Sequence, residues 1–310
     1  MKDGIMERAK KKIVESVPNF SEGTDGKKIE EIVTEIKNTT NIRIVDVQYD
    51  TDYNRAVITF VGTPDAVLKA NVAAAKKAIG LIDMNKHKGQ HPRIGAIDVV
   101  PFVPAQNVTM QECIELSIKF AEIIAQEGIP VYLYEESAKK MERKNIDNIR
   151  IGEYEGLKEA IKKDPNRKPD FGPSELHPTA GAMITGARPP LISFNINLGT
   201  KDLNIAKKVA KAIHLRSGGL VNIKAMGTEL AKKDYVQVGI SNVNYRKTPL
   251  YRQVELVRIE AARYGVSIIG TELIGVLPLD AILNSVEYYL QLEKPQKLEE
   301  KHLLEYYFDF

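Results

Sequence analysis

Lys86-His87-Lys88-Gly89-Gln90-His91-Pro92-Arg93-Ile94-Gly95-Ala96-Ile97-Asp98 runs directly into Val99-Val100-Pro101-Phe102-Val103-Pro104. The first part is too polar for a core and too rich in Gly and Pro for a helix. The second, from Ile97 to Val103, is apolar throughout and reads as a buried strand. An Ala-rich helix that Pro64 starts, ending near Leu81, leads into the loop. A helical pattern from Met110 to Gln126 and a strand from Pro130 to Tyr134 follow it. Helix, polar loop, buried strand, helix, strand is the rhythm of a sheet packed against helices.

Working outward, Ile13 to Val17 reads as a strand, and Ile29, Ile32, Val33 and Ile36 repeat at helical spacing. Ile42 to Val47 and Ala56 to Val61 read as two strands around the polar turn 49–55. The Pro-rich stretch from Lys162 to Thr179 has the composition of a linker between domains. The same order of elements then returns: a strand at 191–196, a helix marked by Leu203, Ala206, Val209, Ala210 and Ile213, strands at 220–225 and 235–240, a helix around Val254 and Val257, a strand at 266–269, and a helix near 279–290. The expectation is an α+β protein of two ferredoxin-like (βαββαβ) subdomains, each a sheet with helices on one face, with a ligand cleft or tunnel between them. The expected division is 1–180, 181–293 and a tail at 294–310. In that tail Leu298, His302, Leu303 and Tyr306 are spaced for a short amphipathic helix.

The 310 residues carry 43% hydrophobic and 27% charged side chains, the composition of a folded protein with a real core. A formal charge of +3 gives no reason to expect nucleic acid or a membrane as partner. The basic start is not followed by a signal-peptide apolar region, and Glu272 and Asp280 interrupt the least polar long stretch. A single cysteine, Cys113, sits in a helical apolar pattern as a structural thiol and fits a reducing cytoplasm.

Several segments carry candidate chemistry. His87 and His91 are four apart, but Gly89 and Pro92 break any helix across them and the flanking cations repel a metal ion, so no metal is expected. His91, on a Pro-stiffened loop before a strand, suits proton transfer on anionic substrates. Asn19, Ser21 and Glu22 either line a site at a strand end or cap the next helix. Arg55 either grips a carboxylate or pairs with Asp50 or Asp52. Gly172-Pro173-Ser174-Glu175-Leu176-His177-Pro178-Thr179-Ala180-Gly181 gives a fixed backbone that can approach a flat ligand, or an ordered interdomain loop. Arg216 precedes two glycines that suit a helix cap or an anion, and Glu272 at a strand tip suits an ammonium group or a backbone cap.

Taken together, the segments VPNFSEG (17–23), NRAVITFVG (54–62), LIDMNKHKGQHPRIGAIDVVPFVP (81–104), PVYLY (130–134), IRIGEYEGL (149–157), PDFGP (169–173), GAMITGAR (181–188), FNINL (194–198) and GTELIGVLP (270–278) resemble the formiminotransferase domain family. That domain forms the N-terminal half of the bifunctional formimidoyltransferase-cyclodeaminases; no cyclodeaminase domain is expected to follow here. The resemblance implies formimidoyl transfer between N5 of tetrahydrofolate, as co-substrate, and the amino nitrogen of L-glutamate, in histidine degradation. It implies His91, before Pro-Arg, as the general acid/base and 172–181 as the folate-binding stretch. Asn19, Ser21, Asp46, Arg55, Lys88, Arg93, Arg188, Arg216 and Glu272 are the further substrate-binding candidates. Two positions depart from the family pattern: Gln48 stands where the second acid of an Asp-x-Asp pair is expected after Asp46, and Ala180 where an aromatic is common. Arg93 and Lys88 are expected to lower the His91 pKa. A homodimer, and association with a separate cyclodeaminase, are the expected partnerships. Glutamate formyltransferase acting with 5-formyltetrahydrofolate, and a non-catalytic folate-binding protein, are the alternatives.

Overall fold

The structure, a computed structural model, describes residues 11–230, 233–293 and 297–307. The basic start at 1–10 and parts of the expected tail lie outside the described residues. The chain divides into two compact units, Met1–Pro189 and Pro190–Phe310. It is a mixed α+β protein with two sheets and, among the described residues, eight α-helices.

In the first unit the elements run β1 (Ile13–Ser16), β2 (Asn19–Phe20), α1 (Gly26–Lys37), β3 (Ile42–Asp50), β4 (Arg55–Gly62), α2 (Pro64–Leu81), β5 (Ile97–Gln106), α3 (Met110–Ala125), β6 (Val131–Leu133), α4 (Ile146–Ile149), α5 (Glu153–Lys163) and β7 (Met183–Ala187). Pro18 has no amide proton, so it interrupts the first strand. β1 and β2 are its two halves, and both lie antiparallel between β4 and β5. β3 pairs outside β4, while β7 and β6 extend the sheet beyond β5 in parallel.

On one face α1, α2 and α3 bury Ile32, Ile36, Ala70, Ala74, Leu116 and Phe120 against Val14, Ile58, Phe60, Val100 and Phe102. The alanines of α2 keep that helix close to its neighbours. Cys113 is buried on α3, and burial pushes its thiol up to about 12, as suits a structural residue. The expectation of helices on one face alone fails for this sheet. Ile149 of α4 and Leu157 and Ile161 of α5 pack on the opposite face, against Val99, Tyr132 and Ile184.

The Pro-rich stretch 162–179 is not a link between units. It begins in α5 and then folds back on the first sheet, where the amide of Val131 donates to the carbonyl of Phe171. Asp170 accepts from the Leu133 amide and from Arg143 Nη1 at 2.6 Å, with both side chains of this ion pair buried. Strand β7 therefore belongs to the first sheet, and the division falls after Pro189 rather than at the expected 180.

The second unit runs β8 (Ile192–Leu198), α6 (Leu203–Ile213), β9 (Ile223–Glu229), β10 (Val236–Asn242), α7 (Leu250–Ala262), β11 (Ile268–Ile274) and α8 (Leu279–Tyr289). Its four strands lie antiparallel in the order β11-β8-β10-β9. Ile192, Phe194, Ile196 and Leu198 alternate into a core with Val209, Ile213, Val238 and Val257. Ser193, Asn195, Asn197, Gln237 and Glu272 share the other face and hydrogen-bond across the strands. Beyond α8 the described tail forms 3-10 turns at Glu300–His302 and Leu304–Tyr307, not an α-helix. No helix among the described residues is long and apolar enough to cross a membrane.

Candidate functional site

The histidine loop spans the gap between α2 and β5 and is fastened at several points. The Met84 amide donates to the Thr179 carbonyl at 2.7 Å, and the Ala96 amide to the Ala180 carbonyl at 2.8 Å. Ser21 donates from its amide to the Ala96 carbonyl and from its hydroxyl to the Gly95 carbonyl. Asn54, in the left-handed region, donates from Nδ2 to the Lys88 carbonyl. Thus the segment ending β2, the β3–β4 turn and the stretch 172–181 all hold one loop.

Gly95 is where these backbones touch. A Cβ there would stand 1.9 Å from the Ala182 carbonyl oxygen and 2.7 Å from that of Ala180. Gly95→Ala should therefore force the strand and the 177–181 turn apart. We expect a stability loss of about 1–3 kcal/mol, the range of overpacked sites. Thermal unfolding checks it; a variant as stable as the parent would contradict the close approach.

His87 and His91 have different surroundings. His87 Nδ1 accepts from Arg93 Nε at 3.2 Å, and its Nε2 meets the Asn54 carbonyl at 2.9 Å, which fixes a neutral tautomer with the proton on Nε2. Burial, then the Arg93 charge, lower its pKa. Arg93 is itself held by Glu153 at 2.7 Å and by both oxygens of Glu155. His91 meets Tyr53 edge to face with ring centres 6.4 Å apart. Burial, followed by the charges of Arg55 and Arg150, pushes its pKa down to about 2. The cations that act on His91 are thus Arg55 and Arg150 rather than the expected Arg93 and Lys88. Lys88 is exposed and Arg93 is already paired.

Asp98 stands at a break in the β2–β5 register, where Asn19 faces Val99 and Phe20 faces Ile97. Such a bulge re-aims a side chain. The carboxylate of Asp98 accepts the Ile94 amide and an Arg150 hydrogen bond. Phe20, Ser21, Tyr53, Asn54, Arg55, His87, His91, Arg93 and Asp98 line one narrow pocket. Among the described residues no group of three or more His, Cys, Asp or Glu is placed to hold a metal ion.

The structure places the other candidates as follows. Asn19 is buried, donates to the Val17 carbonyl and leaves Oδ1 without a partner. Glu22 accepts from the Thr24 and Asp25 amides ahead of α1, the capping role. Asp46, Gln48 and Asp50 lie opposite Thr59, Val57 and Arg55, so they share a face of the sheet with Arg55. Asp50 nonetheless serves the turn, accepting the Asp52 and Tyr53 amides. Arg188 follows β7 and donates to the Pro189 carbonyl. Arg216 and Glu272 belong to the second unit. Arg216 lies beside Lys207, Lys211 and His214 in an open groove; Glu272 lies near Asn195 and Gln237.

In the stretch 172–181, Gly172 to Glu175 are exposed. His177 Nδ1 accepts the Ala180 amide, closing a turn that Gly181 ends at φ +73°. Ala180 is 2% exposed and packs into the first core, so its side chain does not face outward. Sequence reasoning missed Arg150, Glu153 and Glu155. Tyr154, Leu157 and Ile161, at helical spacing, were the signal for the helix that carries the two acids.

A half-buried imidazole thus lies among arginines, on a loop tied to a Gly- and Pro-rich segment. Residues 13–188 match the formiminotransferase domain, N-terminal subdomain, and residues 193–309 match the formiminotransferase domain. The chain belongs to the formiminotransferase domain family. It is 43% identical over 297 residues to the glutamate formimidoyltransferase of Streptococcus pyogenes serotype M1, covering 94% of this chain and 99% of that one. It is 46% identical over 283 residues to that of Thermoplasma acidophilum, covering 90% and 93%. The formimidoyltransferase-cyclodeaminase of Gallus gallus is 41% identical over 94% of this chain, which spans 55% of that protein's length. Among solved structures, a microcompartments protein from Desulfitobacterium hafniense DCB covers 87% of this chain and 97% of its own at 8% identity and a TM-score of 0.23, too low to carry an argument.

Proposed function

We propose that this protein is a transferase that moves a formimidoyl group between N-formimidoyl-L-glutamate and tetrahydrofolate, giving 5-formimidoyltetrahydrofolate and L-glutamate. The observation that carries it is 43–46% identity, over nearly the whole chain, to relatives named glutamate formimidoyltransferase. Folate N5 attacks the formimidoyl carbon and loses its proton; the C–N bond to glutamate then breaks, and the glutamate nitrogen gains a proton. One imidazole serves both transfers, and His91 is the group in the pocket suited to them. On this reading the exposed segment 172–175 takes the pterin. A cytoplasmic setting accords with the single buried cysteine. Fusion of the same domain to a cyclodeaminase in the Gallus gallus relative supports hand-over of product to such an enzyme here.

Incubation of the purified chain with N-formimidoyl-L-glutamate and tetrahydrofolate, followed by absorbance of the 5-substituted folate, tests the proposal. Product is expected with the formimidoyl donor. Turnover with N-formyl-L-glutamate alone would overturn the proposal in favour of formyl transfer, and no turnover with either would overturn group transfer.

A further inference from the structure

We propose that the guanidinium of Arg55, backed by Arg150, is the seat of a carboxylate of the amino-acid substrate, and that the seated carboxylate is what lets His91 carry a proton. The assignment rests on the proposed formimidoyl transfer and names the part of that site that receives glutamate.

The pocket holds more positive charge than it can pair. Arg55 opens β4, and its cross-strand neighbour Asp50 is engaged by the Asp52 and Tyr53 amides. Arg55 Nε is enclosed without a hydrogen-bond partner, and so is Arg150 Nε. Burial and the nearby Arg150 pull the Arg55 pKa down to about 10, as expected of a guanidinium that lacks its anion. Asp98, which serves both arginines, already accepts from Ile94 and Arg150. Two guanidinium charges therefore face one carboxylate. The adjacent Arg93 shows the opposite arrangement, one guanidinium between Glu153 and Glu155. A carboxylate on the planar fork of Arg55 would complete the balance with charge-assisted hydrogen bonds. The pocket is narrow, and the Tyr53 ring lines it beside His91.

The consequence falls on His91. The groups facing it are Arg55 from β4, Arg150 after α4, Asp98 from β5, Tyr53 from the β3–β4 turn, and His87 and Arg93 from its own loop. Burial opposes its protonation first, and of these groups Arg55 and Arg150 oppose it further. Formimidoyl transfer needs the imidazole both to take a proton and to give one back. An anion on Arg55 offsets the arginine charges while burial remains, so the imidazolium forms more readily once the substrate's carboxylate is in place.

The test uses the whole protein, L-glutamate and glutarate. With imidazole nitrogens labelled, His91 should show no protonation by NMR down to pH 5 in the free protein. With saturating L-glutamate its shifts should move about halfway toward imidazolium values at pH 5, as a rise of about three pH units in midpoint would give. Arg55→Met should weaken both dicarboxylates roughly 10- to 100-fold by calorimetry, and Arg55→Lys should recover part of that loss. Unchanged dicarboxylate binding in Arg55→Met, or identical His91 shifts with and without bound L-glutamate, overturns the proposal while leaving the turnover assay intact. Should Arg55→Met fail to fold, the wild-type titration and Arg55→Lys decide the matter. Absence of turnover in the wild type would strike the functional reading and not the dicarboxylate site.

Discussion

His91→Ala should lower turnover by about 10²–10⁴-fold, the usual contribution of a positioned acid/base. The imidazole lies beside Arg55, Arg150 and Tyr53, and no second free histidine can replace it. The His87 ring bridges Arg93 and the Asn54 carbonyl, and His177 closes its own turn. Folate affinity should change little, because 172–181 is tied down through Met84, Ala96 and Val131 rather than through His91. The variant should also gain acid stability. An unfolded chain protonates His91 near its ordinary 6.5, whereas the folded site holds the pKa near 2. Wild-type stability is thus complete above about pH 6.5 and falls as pH drops, by about 2 kcal/mol at pH 5 from this group. Chemical denaturation at pH 7.5 and pH 5 reads the difference. Near-normal turnover in the variant would remove His91 from the mechanism.

Asp170→Ala should destabilise the first unit by about 3–5 kcal/mol, the usual loss when one partner of a buried ion pair is removed. It strands Arg143 in the interior and leaves the Leu133 amide without its acceptor. Arg143 would still hold the Asn166 and Lys168 carbonyls, but with an uncompensated charge. The melting temperature should fall by roughly 10 °C. Because Phe171 pairs with Val131 next to this ion pair, folate binding, proposed above to use 172–175, should weaken as well. A loss below 1 kcal/mol would show that the pair does not fix this segment.

Helices with an apolar stripe were legible in the sequence. Pro64 to Leu81 was read with both ends placed, because Pro opens it and Ile82 turns to extended backbone. β7 was not legible. Met-Ile-Thr-Gly-Ala has a glycine and no alternation, and it is a strand because β5 and β6 flank it on both sides. That one omission also moved the expected boundary from Pro189 to 180. The site divides in the same way. His91 was legible because its loop is polar, Gly- and Pro-rich and useless for packing. Arg150 was not, since its value comes from Asp98, re-aimed by a bulge on another strand. In the sequence Arg93 is a cation beside His91, and only the placement of α5 shows its two acids.

The position of β7 has a consequence for synthesis. A chain leaves the ribosome from its N-terminus, so β5 and β6 emerge well before the strand that joins them. Until Met183–Ala187 arrives, β5 presents an open ladder edge and β6 lacks its parallel neighbour. Such edges invite pairing with other nascent chains. Completion of the first sheet is therefore deferred to nearly the last residue of its unit. A premature stop near Gly181, after every element of an apparently finished βαββαβ fold, would release an aggregation-prone product rather than a smaller working domain.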